Sequence, residues 1–489
     1  MHAADNKLPD DLKMFRFEIL TKDNLECIYG QVLSILEDVG VRFEHEEAVE
    51  FLSENGAVID NNKMVKFPQS LVREALKSVP NSFSFYGRDS KSTRLMFGDR
   101  RTYFTTGATT GGRMLDLTTG QRRPSTLKDM EQIVRIDDAL DVYDMVGAPG
   151  RPSDVPIALY QIKTAEVLIK NTSKPIYYCD ILDLTDATYI LDMAAATLGG
   201  YEELRKRPFM HPSASCTSPL IWHKDAIDVL THSARMGVPT RVVSAPICGM
   251  TGPITVSGML VLMFVEMLSG LVYLQLLCKG LAMSLAPCPI MANYREGNCN
   301  VFSPTRTLIT AASVELGRYM GVPTNASVGM TDSKIPSVQA GYEKAISTLF
   351  LLAAQSQTVG PFGNADDWGT TSAELHVIDA EIVETIREVL EGFSITPETL
   401  ASDIIRTVGP GKSYLTLTHT RQHFPLEHWL PEISFKGSWK LLERLGGNVF
   451  LDNARKKVTR ILDTHKPTPI GDIAAVDRIV EKAHRNLAK

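Results

Sequence analysis

The chain has 489 residues, about three times the ~150 of a single domain, which leaves several domains or one large barrel with additions. With 44% hydrophobic and 22% charged residues it can bury a large core, which excludes disorder over much of its length. The net charge of −6 is spread without a basic block, so nucleic acid is not expected as a partner.

Residues 1–15 are polar and acidic and lack a basic start running into an apolar stretch, so no signal peptide is expected. Seven scattered cysteines, with no CxxC or zinc spacing, form no disulfide framework and no metal site; a cytoplasmic location is expected. From residue 22 the pattern is helical, with Leu25, Ile28, Val32, Leu33 and Leu36 at helix spacing and Gly40 as the stop. A second amphipathic run at 44–54 and a hairpin at 56–65, turning on Asp60-Asn61-Asn62, complete an N-terminal cap over residues 1–90.

Beyond Tyr86, short β-branched or aromatic runs alternate with helical windows. Strands are predicted at 103–106, 142–146, 175–179, 209–213, 240–245, 282–286, 323–328 and 358–362. The helices between and after them fall at 127–140, 156–170, 183–198, 224–237, 254–278, 306–320, 337–355 and 372–390. Eight βα units close most naturally as a (β/α)8 TIM barrel, an α/β fold, over residues 91–395. An open doubly wound sheet is the alternative, and no GxGxxG or Walker loop supports it.

Residues 254–278 are long and apolar enough to span a bilayer. Glu266 and Gln275 inside the run, the lack of a basic anchor before it and the absence of a second such run favour a buried helix, not a membrane span. Its apolarity exceeds that of a solvent-facing barrel helix, so contact with another subunit, and hence a homo-oligomer, is expected. After residue 395 the strands stop; helical windows at 395–408, 436–445 and 448–464 and an aromatic, Pro-containing stretch at 419–431 make a C-terminal helical extension over 396–489.

In a barrel, the chemistry lies in the loops at the carboxyl ends of the strands. These loops hold no GxSxG elbow, HExxH or phosphate loop, and His211 with Cys216 supplies two ligands where a catalytic zinc needs three. They do hold aromatic residues, among them Tyr294, Phe362 and Trp368, which suit a quaternary ammonium ion, and Arg151 and Arg295, which suit a carboxylate. His211, Asp332 and Gln339 are the polar groups assigned to the mouth; Lys334 reads as a helix-entry charge.

Gly40-Val41-Arg42-Phe43, Arg123-Pro124-Ser125-Thr126, Gly249 through Thr255, Asp332-Ser333-Lys334, Gln339 through Glu343 and Trp429-Leu430-Pro431 stand in a telling order. In these residues the chain resembles the trimethylamine methyltransferase family, in its form lacking pyrrolysine. The resemblance implies transfer of a methyl group from an amine to cob(I)alamin on a separate corrinoid protein, with no cofactor bound tightly by the chain itself. It also implies that trimethylamine users carry pyrrolysine near the end of the seventh strand, where residues 328–334 are ordinary here. A tertiary amine must be activated before cobalt can displace its methyl group, whereas a quaternary ammonium ion is already activated. Glycine betaine, giving dimethylglycine, is therefore the first substrate expected, with proline betaine, carnitine and γ-butyrobetaine behind it. Two other classes remain open at this point: a quaternary-amine binding protein without turnover, and a metal-assisted hydrolase. Lys412-Ser413 and Thr305 depart from the family pattern, which bears on the substrate more than on the class.

Overall fold

A computed structural model describes residues 17–487 apart from 89–93, 100, 108–110, 118, 179 and 468–469. Eight short strands run parallel: β1 (Tyr103–Thr106), β2 (Val146–Gly147), β3 (Ile176–Tyr177), β4 in two pieces (Met210–His211 and Ser213–Cys216), β5 (Thr240–Ser244), β6 (Met283–Pro287), β7 (Asn325–Ser327) and β8 (Thr358–Phe362). β3 joins β2 to the first piece of β4, β5 joins the second piece to β6, and β8 joins β7 to β1. Parallel bridges Thr105↔Met145 and Leu285↔Thr324 link these groups, so the succession of pairings returns to its first strand. β1 and β8 match their predicted limits. β2, β3, β5 and β7 are shorter than predicted, β6 is shifted by one residue at the same length, and Pro175 and Pro212, which have no N–H to offer a ladder, bound β3 and split β4.

Helices α1 (Leu127–Ala139), α2 (Tyr160–Asn171), α3 (Leu184–Leu198), α4 (Lys224–Arg235), α5 (Val256–Leu277), α6 (Pro304–Tyr319), α7 (Val338–Ala353) and α8 (Ala373–Glu391) follow the strands in turn. Five begin on a capping side chain, Thr126, Asp183, Ser303, Ser337 or Ser372, that accepts a free backbone N–H of the first turn. Those caps fix where each loop from the strand end must rejoin a helix.

The strands obey a period of two. Val146, Ile176, Tyr178, Met210, Ala214, Val242, Met283 and Leu285 face the helices in one continuous core. Their neighbours Tyr103, Met145 and Tyr177 face inward, where Phe85, Leu95 and Phe97 of the hairpin Phe83–Tyr86/Arg94–Phe97 close the amino end.

Helix α5 corrects one expectation. It needs no second subunit for cover, because the N-terminal helices Lys22–Asp38 and Gln69–Ser78 lie on it and every residue from Met263 to Gln275 is buried. Glu266 and Gln275 within it are internal fasteners. Glu266 accepts from Ser218 Oγ (2.8 Å), Leu220 N (2.9 Å) and Ser244 Oγ (2.5 Å), and burial raises its pKa. Gln275 joins Ser78 Oγ, Gly280 N and Leu281 O. Glu266→Ala strands these donors and is expected to cost about 3 kcal/mol in urea unfolding; a loss below about 1 kcal/mol would show the fastening to be dispensable.

At the C-terminus the helices are Ser402–Val408, Thr418–Glu427, Trp439–Arg444, Val449–Thr464 and Ile473–Leu487. The last was missed in the sequence, although Val476, Val480 and Ala483 stand at helical spacing; these residues bury it in the core shared with α2 and α3.

Candidate active site

The inward-facing positions change character along the strands. At the amino end they are large: Tyr103, Met145, Tyr177 and His211. Toward the carboxyl end they become small, with Gly107, Gly147, Ser215, Val243, Ala286, Cys288 and Ser327 continuing the alternation. Ser215, Val243, Cys288 and Ser327 are half-buried, whereas Ser213, Arg241, Ser284 and Asn325 one layer below are buried. Solvent thus enters a mouth with small-residue walls and stops at a polar floor, the place where such folds keep ligands.

On the floor, the Arg241 guanidinium lies 3.7 Å from the Tyr177 ring centroid and donates through Nη2 to Tyr178 O (2.9 Å) and Ser213 Oγ (3.0 Å). Ser213 in turn donates to Asp180 (2.6 Å), which also accepts from Ser215. Ser284 Oγ meets His211 Nε2 (3.1 Å) and Asn325 Nδ2 (3.1 Å).

The rim is acidic. Asp332 accepts Val301 N (2.8 Å) and Phe302 N (3.3 Å), tying the β6 loop to the β7 loop. Glu343 on α7 accepts from Asp332 N (2.9 Å), Thr331 Oγ1 and Gln339 Nε2 (2.9 Å), so it joins the two polar residues expected here. Asp366 binds Arg122 (2.7 Å) and Lys334 (2.8 Å). Asp366, Asp367 and Trp368 have φ of 56°, 53° and 59°, three consecutive non-glycine residues in the left-handed region. Each such residue costs on the order of 1 kcal/mol, and strain of this kind collects at functional loops. The loop is held by Asp366 N to Ser333 O (2.8 Å) and by Gly111 N to Trp368 O (3.0 Å).

Beneath it, the buried Asp379 accepts from Lys344 Nζ (2.5 Å) and Gly363 N (2.7 Å), and Lys344 donates to Asn364 O (2.7 Å). Beside this pair, His376 bridges Asp137 (2.6 Å) and Thr371 Oγ1 (3.1 Å). A cavity of about 420 Å³ on the outer flank, lined by Val338, Ile378, Ile382 and Phe450, shares only the Lys344–Asp379 pair with this region.

Burial, and then the charge of Asp332, raise the Asp367 carboxyl to about 6, and its Oδ1 has no hydrogen-bond partner among the described residues. A carboxyl raised above its ordinary value is neutral below about pH 6 and charged above it, so attraction for a cation grows as pH rises through 6. The same shift makes its ionisation a stability penalty, which sets in between about pH 4 and 6 and persists at neutral pH. Asp367→Asn is therefore expected to raise the melting temperature at pH 7.5 and to flatten the pH dependence of KM for a cationic substrate between pH 5 and 7. An unchanged KM profile would remove Asp367 from the site.

Several expected site residues lie elsewhere. His211 faces inward but sits at the closed end against Phe85 (4.7 Å) and Phe97 (5.5 Å); burial, aided by Arg241, lowers its pKa well below the ordinary value, so it is a neutral core residue. Phe362 is buried among Phe104, Tyr143 and the helix layer, because a register shift between Val359 and Phe362 turns it outward. Tyr294 and Arg295 ride the exposed tip of the hairpin Ile290–Asn293/Asn298–Asn300, where Tyr294 is 71% exposed and donates to Gly249 O (2.6 Å). Arg151 is exposed on the rim and lies over the Tyr160 ring (4.7 Å). Trp368 and Asp332 line the mouth, and Gln339 is exposed at the start of α7. Arg241 was missed in the sequence, and Asp180, Asp367 and the supporting Glu343, which stand in candidate loops or a motif there, were given no site role.

A family model described as trimethylamine methyltransferase matches residues 3–482. Similar proteins include a trimethylamine methyltransferase of Desulfitobacterium hafniense (strain DSM 10664 / DCB-2), 31% identical over 94% of this chain and 92% of its own. A trimethylamine methyltransferase of Methanosarcina barkeri (strain Fusaro / DSM 804) is 30% identical over 96% of both chains. A glycine betaine methyltransferase of Desulfitobacterium hafniense (strain Y51) is 27% identical over 87% of this chain and 88% of its own. In fold, the chain is similar to the monomethylamine methyltransferase of Methanosarcina barkeri, with a TM-score of 0.53 and 14% identity over 92% of this chain and 90% of that one.

Proposed function

The chain belongs to the trimethylamine methyltransferase family, and we propose that within it the protein moves a methyl group from a quaternary amine, glycine betaine first, to the Co(I) corrinoid of a separate small protein. The observation that carries this reading is the set of small, half-buried residues Ser215, Val243, Cys288 and Ser327 at the strand carboxyl ends under an acidic rim, a setting that attracts a compact cation. The relative named as a glycine betaine methyltransferase supports the same substrate class. Eight βα units and the return of the strand pairing to β1 support a (β/α)8 barrel over residues 91–395 between the N-terminal cap and the C-terminal helical extension.

A Co(I) corrinoid, if presented at the mouth by a partner, would supply the nucleophile for the methyl carbon. The exposed apolar residues Ile157, Leu182, Met250, Ile254 and Tyr294, all on loops at the strand carboxyl ends, fit a docked partner that covers the opening. The chain's own task is orientation. The nitrogen of a quaternary amine leaves as a neutral amine, so no proton has to be delivered, and one methyl group must be held toward the opening with water kept away. Charge on nitrogen falls as the bond breaks, so a tight cage would favour the ground state. Asp332 and Asp366 already spend their oxygens on backbone N–H groups, Arg122 and Lys334, which leaves the cation loosely held.

Exposed Phe393, Ile395, Leu415 and Trp439 on the C-terminal extension support a homo-oligomer formed through that region, and sedimentation showing a strict monomer would exclude it.

The deciding experiment supplies cob(I)alamin under anoxic conditions with an amine panel. Loss of the Co(I) absorption is expected with a quaternary amine and not with trimethylamine, with dimethylglycine formed from glycine betaine. A flat trace for every quaternary amine would end this reading.

A further inference from the structure

We propose that Arg241 is the receptor for a substrate carboxylate, so that the amines accepted are those carrying a carboxylate a short chain away from nitrogen. The inference rests on the quaternary-amine reading above, and its test is arranged to fail separately from it.

Arg241 is 2% exposed, and its Nε and Nη1 have no hydrogen-bond acceptor among the described residues. Among the described residues its acceptors are a carbonyl and a hydroxyl, and the carboxylate of Asp180 is reached through Ser213. A buried guanidinium with open donors and no direct counter-ion is costly unless something anionic arrives. Arginine cannot escape that cost by losing its proton. The group is also fixed in place, since Tyr177 supports its face and Nη2 is held from two sides.

Its position matches the need. Register sets Arg241 beside Ser213 and Ser284, in the layer directly under the half-buried Ser215 and Val243, where the guanidinium forms the floor beneath the proposed substrate space. Two other buried arginines also have open donors among the described residues, Nη2 of Arg306 and Nε and Nη1 of Arg88. Arg306, however, donates to Pro289 O and faces Asp332 and Asp367, whose charges oppose a carboxylate, and Arg88 lies over the Phe209 ring beside the hairpin that closes the amino end. Arg151 is on the rim and Arg295 on the hairpin tip. A carboxylate held at the floor points the ammonium end of a short betaine toward the acidic rim and the opening. The firm contact then lies at the remote end, where it does not oppose the fall in charge at nitrogen.

The test is calorimetric binding of glycine betaine, carnitine and the carboxyl-free choline and tetramethylammonium to the wild-type chain, Arg241→Gln and Arg241→Lys. Wild type is expected to bind at least one carboxylated amine more tightly than choline. Arg241→Gln is expected to weaken that binding about 100-fold, and Arg241→Lys about 10-fold, on the scale of charge-assisted hydrogen bonds. Choline and tetramethylammonium should shift less than about 3-fold, which also reports that the variant pocket is folded. Equal losses for carboxylated and carboxyl-free ligands would mean a structural role and overturn the proposal. So would wild-type binding of choline as tight as that of every carboxylated amine, or no binding of any carboxylated amine. Binding that depends on Arg241, without loss of Co(I) on turnover, would instead overturn the methyl-transfer reading and leave this one standing.

Discussion

Asp379→Ala is expected to lower stability by about 3–5 kcal/mol in denaturant unfolding, a large share of the ~5–15 kcal/mol that holds a folded chain together. Asp379 and Lys344 are each 1% exposed at the side chain, so removing the carboxylate leaves an ammonium ion buried without its counter-charge. Lys344→Met should cost about as much for the mirrored reason. The double variant Asp379→Leu, Lys344→Met is the informative one, because replacing both charges by apolar groups is often neutral. It should recover most of the lost stability. It should not recover activity, because Gly363 N–H and Asn364 O lose the partners that set the strained loop at Asp366–Trp368. A fall in kcat/KM of about 10-fold or more is expected for the stable double variant. Full activity in that variant would show the pair to be a matter of stability alone.

Val243→Phe and Val242→Phe are expected to part company. Val243 is half-buried on the inward face one layer above Arg241, so a phenyl ring there would occupy the proposed substrate space and should cut kcat/KM by about 100-fold or more with little change in melting temperature. Val242 faces the helices and is fully buried in the core, so the same change overpacks it and should cost about 1–3 kcal/mol while the folded fraction keeps its activity. Matching outcomes at the two positions would mean that the inner layer above Arg241 is not the substrate space.

The βα alternation was legible because most βα units carry their own signal: a short run of β-branched or aromatic residues followed by a helical window, in five of the eight opened by a capping side chain. What one unit does to another was not legible. Phe362 was expected in the pocket, and a register shift in β8, invisible in one sequence, turned it outward. Arg241 stands openly in the sequence at the second position of β5, inside a strand and not in a loop, and only the register of three neighbouring strands shows that it comes under the mouth. Glu343 was noticed as part of a motif, and its task of joining Asp332 to Gln339 emerged only from the fold. The apolarity of α5 was read correctly as a demand for cover, and the cover proved to come from the same chain.

That arrangement bears on how the protein is made. Synthesis runs from the amino end, so the helices Lys22–Asp38 and Gln69–Ser78 leave the ribosome well before Val256–Leu277 does. The segment most prone to aggregate, and most easily mistaken by the cell for a membrane anchor, therefore emerges after its shelter. A chain shortened to begin after residue 80 would release that helix bare, and aggregation during expression, rather than a milder loss of stability, is the outcome to anticipate.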